Sequence, residues 1–251
     1  MRMIPEVRSS ETLAERLRRD ILRGQFLRGE QLPTERELAS ESRLGRGSIR
    51  EALRILEAQG LVQTHAGRHG GSVVSRPSDQ LVARQIDSYA KTRGLPLQAL
   101  VDARAAIEPM VAQLAAMHRT EDDLAALRRV ADRLDDAVEA DVRRFLKENV
   151  KWHHALAAAS HNDLLRAFAT SISKLMYEAS RIRNFASADV RIVVSKSHRR
   201  VLAAIEQRDP DAARRRTERD IQSYARYLAA ALKSSADGRH SIVKLPKRSG
   251  A

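Results

Sequence analysis

From residue 80 to residue 233 the sequence keeps helical apolar spacing almost throughout, and its clearest interruptions are only two or three residues long. They fall at Gly94-Leu95-Pro96, His118-Arg119-Thr120, His161-Asn162 and Asp209-Pro210, where glycine, proline or a side-chain cap ends one helix or begins the next. The spacing predicts seven helices, roughly 80–93, 96–118, 121–138, 141–159, 162–183, 188–207 and 210–233. Connections this short make consecutive helices antiparallel neighbours, so this stretch is expected to form a compact helical bundle.

The first 78 residues mix periods. Leu13, Leu17 and Ile21 form one helical stripe that Gly24 stops. Pro33 then precedes Thr34-Glu35-Arg36-Glu37, a capping box in which the Thr34 hydroxyl and the Glu37 carboxylate satisfy two orphan backbone N–H groups. A second helix should run from there to about Ser42. A third is predicted over Arg46–Gln59, with Ile49, Leu53 and Leu56 on one face and Gly60 at its end. Leu61-Val62-Gln63-Thr64-His65 and Ser72-Val73-Val74-Ser75 are β-prone runs around a Gly-rich turn and read as a hairpin. Three helices and then a hairpin is a winged helix-turn-helix. Arg76-Pro77-Ser78-Asp79 suits a joint, with Ser78 or Asp79 suited to cap the next helix. The chain is therefore expected to be mostly α: a winged helix-turn-helix domain over 1–76, a linker at 77–80, a helical domain over 81–233, and a flexible basic tail over 234–251.

Composition narrows the function classes. Of 251 residues 43% are hydrophobic and 31% charged, which excludes bulk disorder. The longest apolar run is Tyr227 to Leu232, far below the roughly 20 residues of a membrane helix, and Met1 to Val7 lacks a signal-peptide core. A cytoplasmic protein with no membrane partner is expected. Absence of cysteine removes disulfides and thiolate ligands together, leaving His, carboxylate or amide oxygen for any metal. The net charge of +13 suggests a polyanion such as DNA. It is nevertheless spread out: +4 over residues 1–78, +5 over 79–232 and +4 over the remainder. Individual arginines have to carry the inference.

In a helix-turn-helix the second helix turns its N-terminal residues to base edges while its other face packs on the core. Arg46 and Arg50 lie one turn apart, opposite the Ile49, Leu53 and Leu56 face, with Gly47 and Ser48 keeping the surface between them low. Arg36 starts the preceding helix near the same region. A guanidinium fork can bond guanine O6 and N7 together or clamp a phosphate, although such arginines also make ordinary solvated faces. Leu32-Pro33-Thr34-Glu35-Arg36-Glu37-Leu38-Ala39, Arg46-Gly47-Ser48-Ile49-Arg50-Glu51-Ala52-Leu53 and Leu56-Glu57-Ala58-Gln59-Gly60-Leu61-Val62 resemble the GntR family of bacterial transcription regulators. The resemblance spans about 65 residues and implies DNA contacts at Arg36, Arg46, Ser48 and Arg50, and on the wing near His65, Ala66 and Gly67. Two family hydroxyls are missing, since Gly45 and Gly47 stand where Ser or Thr is usual. Arg68 and His69 flank the wing tip, either entering the minor groove or lying exposed on an ordinary turn.

A second constellation lies in the bundle. Asn149 and His153 share a helix face at i, i+4. His198 and Asp220 each stand 11 residues from Asp209, so an antiparallel turn there brings them level. Two imidazoles, a carboxylate and an amide oxygen can hold Zn, Ni or Mn, though each His taken singly is an unremarkable core or surface residue. Trp152-His153, the run Ser197 to Ile205, and Arg104-x3-Glu108 are similar to the all-helical (FCD) effector domain of the FadR-type branch of the same family. That resemblance implies a metal at Asn149, His153, His198 and Asp220, with Asp220 where the family has a further His. It also implies that Arg104 receives the carboxylate of a small organic acid near His153 and His198. The other reading of Arg104 is an intrahelical pair with Glu108. Arg144, Arg181 and Asn184 are further polar candidates for a pocket. Arg214-Arg215-Arg216 reads as a solvated face.

These readings favour a homodimeric, ligand-responsive regulator, expected to repress, on double-stranded palindromic DNA, because one winged helix reads only a few base pairs. An architectural DNA-binding protein with a pocket that no longer senses anything is the alternative, and a metal-dependent hydrolase is a distant third. No His-Glu-x2-His or nucleophile elbow is present, so no enzyme activity is expected.

Overall fold

A computed structural model describes residues 5–65, 67, 70–183 and 187–234. Ala66, Arg68, His69, Asn184 and the tail from 235 onward lie outside the described residues. The chain divides into two compact units, Met1–Leu81 and Val82–Ala251.

The first unit contains α1 (Pro5–Leu22), α2 (Glu35–Ser42), α3 (Arg46–Ala58), β1 (Val62–His65) and β2 (Gly71–Val74). Helix α1 begins well before the apolar stripe that opens at Leu13. Proline is favoured at a first helical position, where its missing N–H costs nothing. The capping box at α2 forms: Thr34 Oγ1 accepts from the Glu37 N–H at 3.3 Å, and Glu37 Oε2 accepts from the Thr34 N–H at 2.8 Å. That backbone hydrogen bond from Thr34 comes first among the causes that hold the Glu37 carboxyl below its ordinary value. Leu13 and Leu17 of α1, Leu38 of α2, Ile49, Leu53 and Leu56 of α3, and Val62 and Val74 of the hairpin form one buried cluster. Each such side chain contributes about 1.5–3 kcal/mol by leaving water.

β1 and β2 pair antiparallel in the register Val62↔Val74 to His65↔Gly71. The sequence predicts only this hairpin, but the other edge of β2 is also paired. The Leu32 N–H donates to Ser72 O at 2.8 Å, Val74 N–H to Glu30 O at 2.8 Å, and Gln31 bridges Val73. The segment before α2 thus satisfies backbone groups that would otherwise form an open sheet edge.

The second unit holds α4 (Asp79–Arg93, whose first three residues belong to the preceding unit), α5 (Leu97–His118), α6 (Glu121–Asp136), α7 (Val142–Ala159), α8 (Asp163–Arg183), α9 (Ala188–Glu206) and α10 (Pro210–Ser234). The predicted seven helices are all present. Thr120 caps α6 through Asp123 in a second capping box, Asp141 caps α7, and Ser187 caps α9. Helix α5 packs against α7, α8, α9 and α10, which makes it the wall shared by the interior of the bundle. Trp152, Phe145, Leu127, Leu134, Leu175 and Ile205 are among the fully buried side chains of this unit. No helix of the described residues is long and apolar enough to cross a membrane.

Candidate functional site

In the first unit the buried face of α3 fixes what its other face can do. With Ile49, Ala52, Leu53 and Leu56 in the core, Arg46, Gly47 and Arg50 are exposed. Arg36 is exposed on the first turn of α2. Ser48 is placed differently from the expectation: it is only 5% exposed, because it sits beside Ile49 on the side of the helix turned to the core. Its surface is therefore not shared with Arg46 and Arg50. His65 ends β1 and is exposed. Gly67 stands in the hairpin turn at φ +120°, with open space where a side chain would be. Gly70 N–H donates to Gly67 O at 2.9 Å and closes the turn.

One partner was not foreseen. Arg50 Nε donates to both carboxylate oxygens of Glu35, at 3.2 and 3.0 Å. The two residues lie on different helices, and no sequence spacing pairs them. Gly45 precedes α3 in an extended conformation and supplies no side-chain cap.

In the second unit α5, α7, α9 and α10 bring Arg104, Asn149, His153, His198 and Asp220 to one cavity of about 40 Å³. At ~10–15 Å³ per water-sized group, that is room for roughly three. His198 Nε2 lies 3.5 Å from Asp220 Oδ2, and the His153 and His198 rings meet edge-on with centroids 5.3 Å apart. Trp152 stacks on His198 at 4.9 Å and so fixes the ring plane.

Both readings of Arg104 bear on its geometry. Arg104 Nε and Nη2 donate to the two oxygens of Glu108 at 2.8 and 2.9 Å, a buried bidentate pair one helical turn apart. Arg104 also lines the cavity, with Nη2 3.3 Å from His153 Nε2 and its guanidinium over the Tyr224 ring at 5.5 Å. Glu108 is not among the cavity-lining residues; it holds Arg104 from behind. Tyr224 lines the cavity and approaches Ser180 Oγ at 3.2 Å. Sequence reasoning missed it, although Tyr224 stands one turn after Asp220 on the same face of α10. Arg144 is exposed and does not line the cavity, because it lies on the opposite side of α7 from His153. Arg181 is in α8, its side chain outside the described residues. Arg214 is exposed and pairs with Glu218 at 3.0 Å.

Burial sets the electrostatics. It works against the charge of Arg104, but the Glu108 carboxylate more than offsets it and raises that group's pKa. Burial, then the Arg104 charge, holds His153 well below its ordinary 6.5, so the ring is neutral at pH 7. Burial also acts to raise the pKa of Asp220, but the His198 ring beside it prevails and keeps the carboxyl below its ordinary 3.8.

A donor set for a cation is present in kind. Asn149 Oδ1, His153 Nδ1 and His198 Nδ1 are buried side-chain atoms without a hydrogen-bond partner, and all three residues line the same cavity. With Nε2 against the Arg104 guanidinium, the neutral His153 ring carries its proton on Nδ1, so the free acceptors are Asn149 Oδ1 and His198 Nδ1. Among the described residues no three His, Asp or Glu side chains already converge as metal ligands do. The donors share a wall and are not gathered around a point.

Comparison with known proteins agrees with this layout. Residues 9–71 match the model of the bacterial regulatory proteins of the gntR family, and residues 99–223 match that of the FCD domain. The chain is 30% identical over 218 residues to the HTH-type transcriptional repressor NanR of Salmonella newport, a match covering 85% of this chain and 83% of the relative. It matches NanR of Salmonella arizonae at the same identity, over 85% and 82%. Among solved structures, a GntR of Streptococcus agalactiae aligns with a TM-score of 0.61 and 27% identity, over 86% of this chain and 99% of that one.

Proposed function

The chain belongs to the GntR family of bacterial transcription regulators, with an FCD domain after its helix-turn-helix, and from that premise we propose that it is a ligand-responsive repressor acting as a homodimer on a palindromic operator. The observation that carries the DNA-reading half is the division of α3 into a buried apolar face and an exposed face bearing Arg46 and Arg50. Together with Arg36 on α2, and with His65 and Gly67 on the wing, these residues make the contact surface. Arg46 and Arg50 read bases, and the others position the duplex. Two copies related by a two-fold axis supply the base pairs that one reading head cannot.

The effector is proposed to be a small carboxylate that enters the cavity lined by Arg104, Asn149, His153 and His198, with Glu108 holding Arg104 in position. A guanidinium whose charge Glu108 secures against burial is a suitable receptor for a carboxylate. Coupling of about 1–3 kcal/mol between this cavity and the DNA-bound arrangement would change DNA affinity 5- to 150-fold.

A second reading concerns a divalent ion such as Zn, Ni or Mn, and the buried Asn149 Oδ1 and His198 Nδ1, which have no hydrogen-bond partner, favour it. Asn149, His153, His198 and Asp220 would hold the ion, which would supply positive charge to an incoming carboxylate.

The test combines selection and thermal shift. Sequences enriched by the purified protein from a random duplex pool should be two-fold palindromes. A panel of small acids, screened with and without Zn, Ni and Mn, should contain one that raises the thermal midpoint and changes affinity for the enriched duplex. A preparation that enriches no sequence sinks the regulator reading. No shift from any acid and no bound metal would leave a DNA-binding protein with an inert pocket, and turnover of an acid would make it an enzyme.

A further inference from the structure

The Glu35–Arg50 pair is out of place on a surface meant for DNA. A carboxylate there repels phosphates whatever the sequence, so it weakens binding to every duplex. The pair gives little net stability, because the Arg50 and Glu35 side chains are 62% and 40% exposed and ordering them offsets most of their attraction. What it does provide is orientation. Arg50 has five N–H donors, and Glu35 engages only Nε, with both oxygens, at 3.2 and 3.0 Å. Nη1 and Nη2 make no hydrogen bond to the carboxylate, and their end-on N–H groups form the parallel pair that a guanine edge accepts.

We propose that Glu35 is a positioning residue that exchanges general DNA affinity for sequence discrimination by ordering Arg50 before contact. The repulsion it adds is the same for all sequences. The entropy it saves is realised only where bases accept from the pre-aimed fork. Anchored at Nε, Arg50 cannot swing freely onto a neighbouring phosphate, so a wrong base leaves its donors unmatched. Glu35 has one further role, since a carboxylate in the first turn of α2 also favours the helix dipole. The experiment must separate the two.

The inference rests on Arg50 facing DNA. Full-length protein is titrated with a duplex enriched by the wild type from a random pool, and with sheared mixed-sequence genomic DNA. Glu35→Ala should weaken binding to the enriched duplex about tenfold while leaving mixed-sequence binding unchanged or tighter. Glu35→Gln, which keeps one acceptor oxygen, should recover part of the discrimination. In an Arg50→Ala background, Glu35→Ala should no longer alter the ratio of the two affinities. Equal changes on both DNAs would overturn the proposal, as would parallel losses that track a lowered thermal midpoint. If Arg50→Ala alone leaves discrimination intact, the role of Arg50 in reading DNA fails first.

Discussion

Arg104 Nη2 stands 3.3 Å from His153 Nε2 in the interior of the helical bundle, so a fixed positive charge touches a buried neutral imidazole. The contact is tolerable because the imidazole Nε2 can accept from the guanidinium and Glu108 balances its charge through two hydrogen bonds of 2.8 and 2.9 Å to Nε and Nη2. Glu108→Gln keeps the shape and removes the charge, leaving Arg104 buried without its anion. Urea unfolding at pH 7 should show a loss of about 3–5 kcal/mol. A loss under about 1 kcal/mol, the scale of a single neutral hydrogen bond, would mean that the charge of Glu108 does not hold Arg104 in place.

Arg46 is exposed and makes no contribution to the buried face of α3. Arg46→Ala should therefore leave unfolding within about 0.5 kcal/mol of the wild type. In gel-shift titrations it should abolish preference for the enriched duplex over mixed-sequence DNA. Retained preference would move the reading surface elsewhere.

Acid should weaken the junction between α6 and the turn before α8. Burial acts to raise the Asp123 pKa, but the Thr120 N–H and hydroxyl, with the His161 ring at 2.7 Å, prevail and hold it below 3.8. A carboxyl depressed in the folded state contributes stability that is present above its unfolded value and is lost as pH falls through the folded one. Wild type should exceed Asp123→Asn in stability at pH 7, and the difference should shrink as pH drops below 3.8. A difference that does not change between pH 7 and pH 3 would show that Asp123 titrates normally.

Gly60 ends α3 at φ +73°, and a Cβ there would meet Pro77 Cα and Leu81 Cδ2, both at 3.0 Å. One of these atoms is backbone and cannot move aside cheaply. Gly60→Ala should cost about 1–3 kcal/mol in thermal or urea unfolding. An unchanged midpoint would show that the segment from Pro77 to Leu81 yields.

Much of the fold is legible in the sequence because its signals are local. Thr34 with Glu37, and Thr120 at the start of α6, mark helix starts through hydrogen bonds spanning three residues. Apolar spacing within one helix identifies the buried face of α3 without knowledge of the partner. The level of His198 against Asp220 comes from counting residues on either side of a turn, because antiparallel helices rise equally per residue. Helix α1 is longer than its apolar stripe because periodicity marks an apolar face, and a helix can extend beyond that face.

By itself the sequence determined the order of the helices and most of their ends, the winged helix ahead of a bundle, and the family whose motifs it carries, since each depends on neighbours a few residues apart. Only the tertiary structure decided that Ser48 packs beside Ile49, that Glu35 holds Arg50, that Tyr224 joins Arg104 at the cavity, and that β2 is paired on both edges. These relationships depend on how one element is rotated and shifted against another. Side-chain volumes across an interface set that rotation, and no spacing within a single element records it.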